Sequence, residues 1–179
     1  MILDGYQMFD LPSAPRNLAQ IVGTYASTNA LDYGIASGIP SSANGGGARD
    51  MGIGDDPMLK LLVRVGTAFV SAGGATLQLQ LQGCIDNGSG GVGTATTMWT
   101  SPAYSIAQLF AGADIANIDV PRPIPGEALP RFLKLNFIIG TSTMSAGTVE
   151  ATIVVDRDDQ IVGTTGAQSG YPAGINIAN

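Results

Sequence analysis

The chain of 179 residues contains no histidine and a single cysteine, Cys84. Histidine is the commonest general base and the commonest ligand of transition metals, so its absence excludes Ser-His-Asp and Cys-His catalysis. One cysteine excludes an intrachain disulfide and zinc sites of the CxxC type. Two carboxylates could still meet in space, as in glycoside hydrolases, but most of the 14 acidic residues lie in turns or tails. We therefore expect a protein that is not an enzyme and that binds no cofactor and no metal.

Charge is scarce as well, since charged residues make up 12% of the chain, about half the usual share. The net charge is −6 and there is no run of Lys or Arg, so we expect no nucleic-acid partner. No apolar run is long enough to span a bilayer, and residues 1–4 lack the features of a signal peptide. We expect no membrane contact and synthesis in the cytoplasm. A low-charge surface with 25 glycines fits a protein covered by partners, and it equally fits a compact β protein with many turns.

Residues 76–82 (TLQLQLQ) alternate strictly between apolar and polar side chains, which predicts a strand with one face in a core. Similar patterns predict further strands at residues 24–33, 58–65, 131–139 and 148–156, and the β-branched and aromatic residues of 94–100 also favour a strand. Residues 105–111 could form a short helix or a strand, and we favour a strand. We predict that 58–65 and 76–83 form an antiparallel hairpin or lie close together in one sheet. Seven or eight strands without a convincing helix indicate an all-β sandwich or barrel.

Three segments show no strand period. Residues 1–23 carry Leu3, Tyr6, Met8 and Phe9 before two prolines, and we interpret them as an N-terminal arm that packs on its own domain or on a neighbour. Residues 34–57 form a long glycine-rich loop. Residues 158–179 form a C-terminal tail in which Tyr171, Ile175 and Ile177 are isolated hydrophobic side chains.

Two side-chain groups have both a plain and a functional interpretation. Arg49-Asp50 is either a local ion pair or an anchoring pair at a subunit contact. Trp99, Tyr104 and Phe110 could form a sugar-binding platform, but we expect at least two of these three rings to pack in the core.

Several stretches, taken in order, resemble the capsid cement (decoration) proteins of tailed bacteriophages. They are residues 48–54 (ARDMGIG), 73–82 (GGATLQLQLQ), 131–137 (RFLKLNF), 145–149 (SAGTV) and 154–157 (VVDR). The resemblance covers about residues 24–157 and rests on strand and turn patterns. An insert around residues 40–47 and the long tail after Arg157 depart from the family pattern.

The resemblance implies a single jelly-roll β-sandwich over residues 24–157, with an extended N-terminal arm (1–23) and a C-terminal tail (158–179). It also implies a homotrimer on the outer surface of a phage head, where it bridges neighbouring copies of the major capsid protein and stabilises the shell of the virion. The candidate contacts with the capsid or between subunits are Leu3, Tyr6, Met8, Phe9, Arg49, Asp50, Tyr171, Ile175 and Ile177. The alternative is a carbohydrate-binding jelly-roll module on the virion surface.

Overall fold

The computed structural model describes residues 8–32, 59–121 and 130–155. These residues form eleven β-strands and a 3₁₀ turn at Ile106–Gln108. The strands are, in chain order, β1 (Met8–Asp10), β2 (Arg16–Asn17), β3 (Gly23–Ala26), β4 (Leu31–Asp32), β5 (Leu59–Val65), β6 (Thr76–Asp86), β7 (Val92–Thr100), β8 (Tyr104–Ser105), β9 (Asp114–Asp119), β10 (Phe132–Gly140) and β11 (Thr148–Val155).

The strands make two antiparallel sheets that enclose one core. The first sheet has the order β1-β11-β5-β9, with β2 also paired to β11. The second has the order β3-β10-β6-β7, with β4 paired to β10 and β8 to β6. Eight strands remain when β3 and β4 are counted as one strand and the short β2 and β8 are omitted. Numbered from 1 to 8 along the chain, these strands have the order 1-8-3-6 in the first sheet and 2-7-4-5 in the second. This is the strand order of a jelly roll, and the prediction of a single all-β jelly-roll sandwich is confirmed.

The core lies between the two sheets because the alternating strands turn their apolar faces towards each other. Leu77, Leu79 and Leu81 of β6 are fully buried, and they lie beside the buried apolar side chains of β10. In the register of that pair, Leu79 is opposite Phe137. The strands of the first sheet contribute the facing layer, with Leu61 of β5 also fully buried. Removing one such leucine side chain costs about 2–5 kcal/mol, so each of these positions fixes the strand's orientation.

The predicted pairing of residues 58–65 with 76–83 is wrong, because β5 and β6 belong to different sheets. β5 lies between β11 and β9, whereas β6 lies between β10 and β7. The connection between β5 and β6 crosses from one sheet to the other. The alternating pattern correctly predicted which face of β6 is buried, but it carries no information about which strand is the neighbour.

Two predicted strands are interrupted. The predicted strand at 24–33 is divided into β3 and β4, because the backbone turns towards β1 after Ser27, whose own N–H still donates to the carbonyl of Leu135 in β10 at 2.7 Å. The N–H of Thr28 donates to the Asp10 carboxylate at 2.9 Å, and the N–H of Asn29 donates to the carbonyl of Phe9 at 3.0 Å. At residues 105–111 the favoured strand is mostly wrong and the alternative of a short helix is closer. After β8 the chain enters the 3₁₀ turn, where the Gln108 side chain accepts the Ser105 N–H at 2.9 Å.

The described part of the predicted N-terminal arm belongs to the sandwich. β1 pairs with β11, with Met8 opposite Thr152, and Phe9 is completely buried in the core. The sandwich therefore begins by Met8 and not at residue 24. Residues 1–7, the glycine-rich loop at 34–57 and the tail at 158–179 lie outside the described residues.

Candidate functional site

Four connections meet at one end of the sandwich, and we call them together the apolar end. They are residues 18–22, 66–75, 141–147 and 101–113, the last of which includes β8 and the 3₁₀ turn. Backbone hydrogen bonds join them into one surface. The N–H of Met144 donates to the carbonyl of Gln20 at 2.9 Å, and the N–H of Ser145 donates to the carbonyl of Val70 at 2.8 Å. The N–H of Phe69 donates to the carbonyl of Leu109 at 3.0 Å.

The apolar end exposes large hydrophobic side chains. The four most exposed ones in the described part of the chain all lie here: Ile21 (67%), Phe110 (62%), Val22 (54%) and Val70 (52%). Their buried neighbours explain why they face solvent. Phe69 and Leu109 insert into the core and thereby hold the adjacent Val70 and Phe110 at the surface. Exposed apolar side chains grouped in this way are typical of surfaces that bind a protein, a membrane or a small ligand.

The apolar end also carries no charge. None of its four connections contains Asp, Glu, Lys or Arg. An ion pair borders the apolar end on the side of the first sheet, with Arg64 Nε 3.7 Å from Asp114 Oδ1. An apolar centre with a charged rim is the arrangement of a protein–protein interface, because a partner can cover the centre without removing water from an ion.

The opposite end of the sandwich is charged and is held by Arg131. The Arg131 guanidinium donates to both carboxylate oxygens of Asp32, at 3.0 and 2.9 Å, and a further N–H donates to Asp86. Asp32 raises the pKa of Arg131 above its ordinary value. The backbone N–H of Gly90, with the Arg131 guanidinium and the N–H of Gly88, holds the pKa of Asp86 below its usual range. Arg131 therefore ties β4, β6 and the start of β10 together.

Asp10 has a buried carboxyl group, and only one of its two oxygens accepts a hydrogen bond. Its side chain is 1% exposed; Oδ1 accepts the Thr28 N–H at 2.9 Å, whereas Oδ2 has no hydrogen-bond partner. Burial raises the pKa of Asp10, and the Thr28 hydrogen bonds and the charge of Arg16 offset only part of this effect. The ionised carboxylate is therefore a destabilising feature of the corner where β1 meets the second sheet.

Replacing Asp10 by asparagine should raise the thermal unfolding midpoint at pH 7. The amide oxygen can still accept the Thr28 N–H, and no charge is buried. Because the folded pKa lies above the unfolded one, the penalty of Asp10 is present at neutral pH and disappears as the pH falls below the ordinary value of 3.8. Thermal melts of both proteins between about pH 3.5 and 7 should converge at the acid end, because about 3.5 is close to the pKa of an Asp carboxyl in an unfolded chain. A constant difference across this range would contradict the prediction.

The three aromatic rings considered for sugar binding do not form a platform. Trp99 and Tyr104 pack against the core, and the Tyr104 hydroxyl donates to the carbonyl of Ile115. Phe110 is the exposed ring of the three. The prediction that at least two of these rings are core residues is confirmed. Cys84 is also fully buried, and burial raises the pKa of its thiol.

The structure separates the predicted contact residues into two groups. Met8 is 5% exposed and Phe9 is fully buried within the domain, so the prediction that their side chains contact a partner is wrong. The remaining predicted contacts lie outside the described residues: Leu3, Tyr6, Arg49, Asp50, Tyr171, Ile175 and Ile177.

Of the exposed residues of the apolar end, only Phe110 is a candidate from the sequence, as a possible sugar-binding ring; Ile21, Val22 and Val70 were not predicted. The signal common to all four connections (18–22, 66–75, 101–113 and 141–147) is the lack of charged residues, which is visible in the sequence. The topology is needed to show that these segments meet. Among the described residues no group of three or more acidic or cysteine side chains could hold a metal ion, and no helix is long and apolar enough to cross a membrane.

The fold and the apolar end define an all-β jelly-roll protein with an exposed, uncharged apolar surface at one end of the sandwich. The chain belongs to the Bbp16 family, whose sequence model matches residues 17–153. This match runs from β2 into β11 and so covers the sandwich except for β1. No curated protein matches the chain.

Proposed function

We propose that this protein is a structural capsid cement protein. In this proposal it associates with copies of itself, as a trimer by the resemblance to phage decoration proteins, and binds the outer surface of a phage head. There it bridges neighbouring major capsid protein subunits and stabilises the shell. The observation that carries the proposal is the apolar end, since its uncharged surface exposes four large hydrophobic side chains that a protein partner would cover.

The sandwich suits a bridging role for a mechanical reason. The two sheets share one close-packed core, and such interiors transmit force with little deformation. Arg131 closes one end through its contacts with Asp32 and Asp86. An oligomer of such units that holds several shell subunits at once gains from multivalency, because each contact keeps the others at a high effective concentration.

Cosedimentation with expanded, undecorated phage heads tests this proposal. We expect the full chain to bind and to saturate at a fixed ratio per major capsid protein subunit, and decorated heads to withstand heating that disrupts bare heads. Heads already decorated with their own cement protein are the control and should bind little additional protein. Absence of binding to bare heads across the accessible concentration range would contradict the proposed function.

Truncations then test the predicted contacts in the terminal segments. Removal of residues 158–179, or of residues 1–7, should weaken head binding while the thermal unfolding midpoint stays close to that of the full chain. The N-terminal truncation has to stop before Met8, because β1 is part of the first sheet and Phe9 is part of the core. Unchanged head binding by both truncated proteins would remove Leu3, Tyr6, Tyr171, Ile175 and Ile177 from the contact.

A further inference from the structure

We propose that the apolar end is the contact between copies of this chain. The proposal rests on the proposed function, which requires self-association, and it names the surface that provides it. Ile21, Val22, Val70 and Phe110 form the centre of this contact, and the pair of Arg64 and Asp114 lies at its rim.

Charge is the first reason for choosing a second copy as the partner. The chain carries a net charge of −6, so two copies repel each other through most relative orientations. The apolar end is free of charged residues, and the Arg131 cluster with Asp32 and Asp86 lies at the opposite end of the sandwich. Contact through the apolar end therefore brings the copies together at their neutral surfaces and keeps these charges apart.

Self-complementarity is the second reason. In a symmetric oligomer the same surface, or two surfaces of one chain, must fit each other. An uncharged apolar surface meets this condition without any matching of positive to negative groups, and interfaces between identical subunits are more apolar than other interfaces. The rim also fits, since Arg64 of one copy can approach Asp114 of the next after the apolar centre is covered.

The backbone supplies a third observation. Thr141, at the start of the 141–147 connection, has a φ of +67°, which β-branched residues rarely adopt. Thr141 is the central residue of a tight three-residue turn, in which the N–H of Ser142 donates to the carbonyl of Gly140 at 2.8 Å. Strained backbone of this kind is concentrated at binding surfaces, where it fixes the shape of the surface before the partner arrives.

Sedimentation velocity of the purified full chain, without phage heads, tests this proposal. We compare the unaltered protein with Val70→Asp and Phe110→Asp at the apolar end. Val92→Asp is the matched control, because Val92 is also an exposed valine, at 41%, but begins β7 at the opposite end. All three side chains are exposed, and thermal melts should show similar unfolding midpoints.

We expect the unaltered protein and Val92→Asp to form the same oligomer. For both apolar-end variants we expect the dissociation constant of the oligomer to rise about hundredfold. Raising the salt concentration should strengthen the association of the unaltered protein, because salt screens repulsion between like-charged copies and leaves apolar contact intact. An association that weakens with salt would indicate a charged contact and would overturn the proposal.

The remaining outcomes separate this proposal from the proposed function. If the variants keep the oligomer while the unaltered protein binds heads, the apolar end is not the contact between copies and the cement function stands. If the unaltered protein is monomeric and Val70→Asp no longer binds heads, the capsid protein is the partner of this surface and the present proposal is wrong. If the oligomer dissociates as expected but no protein binds heads, the contact between copies stands and the cement function does not.

Discussion

Replacing Phe9 by alanine should lower the free energy of unfolding by about 3–5 kcal/mol, the range for a large aromatic side chain removed from a core. Phe9 is fully buried, and the carbonyl of the same residue accepts the Asn29 N–H at 3.0 Å. The substitution leaves that backbone bond possible but removes the side chain that fixes β1 over the core. Urea denaturation of the purified chain at neutral pH measures the effect.

Leu11→Ala is the control for this prediction. Leu11 lies two residues further along the same segment but is 36% exposed, and we expect a change within about 0.5 kcal/mol. The two interpretations of the N-terminal segment give opposite results for Phe9. An anchor on the capsid would leave the stability of the isolated protein unchanged and reduce head binding; a core residue reduces stability, and head binding persists at temperatures where the variant is folded.

The alternating patterns predicted the orientation of the long strands because burial is decided residue by residue. In β6 and β10 each second side chain faces the other sheet, and the buried residues include Leu79 and Phe137 as expected. In β5, the half-buried Lys60 and the exposed Arg64 alternate with the buried Leu61 and Val63. Transfer of apolar side chains from water is favourable for each position independently, so a single sequence carries this information.

Strand neighbours were harder to predict, because pairing depends on the whole topology. Sequential strands usually lie side by side, which favoured a hairpin of β5 with β6. In the jelly roll the 66–75 connection instead crosses between sheets, since Val65 pairs with Val149 in one sheet and Thr76 with Gly140 in the other. The local sequence of the connection would allow either arrangement.

The N-terminal strand escaped prediction for a different reason. β1 has three residues, too few to show an alternating period, and the prolines that follow it favoured an irregular arm. Its place in the fold is set by β11, which lies near the other end of the described chain. Short strands stabilised by distant partners have no signature in their own sequence.

The apolar end was only partly accessible to prediction. Its lack of charge is a property of the sequence, but the exposure of Val70 and Phe110 depends on Phe69 and Leu109 turning inward. In the sequence, Phe110 lies within an apolar stretch that looked like a strand. Only the convergence of four connections turns separate hydrophobic residues into a surface that a partner can cover.

The packing of these connections can be tested at Gly147, where alanine should lower the free energy of unfolding by about 2–5 kcal/mol. A Cβ at this position would lie within 2.5 Å of the Phe69 ring, and Phe69 is itself buried. Overpacking of this kind costs about 1–3 kcal/mol. The φ of +139° adds a backbone penalty of about 1–2 kcal/mol for any residue with a Cβ.

Gly88→Ala separates these two contributions. Gly88 has a φ of +86°, and a Cβ there would meet nothing within 4 Å, so only the backbone penalty of about 1–2 kcal/mol is expected. In a Phe69→Ala background the added cost of Gly147→Ala should fall to a similar value, because the ring that it clashes with is gone. Urea denaturation of the four proteins of this cycle measures the coupling. If Gly147→Ala were equally costly with and without the ring, Phe69 would not pack beneath the 141–147 connection. The 66–75 and 141–147 connections would then not form one surface, and the apolar end could not act as a single contact.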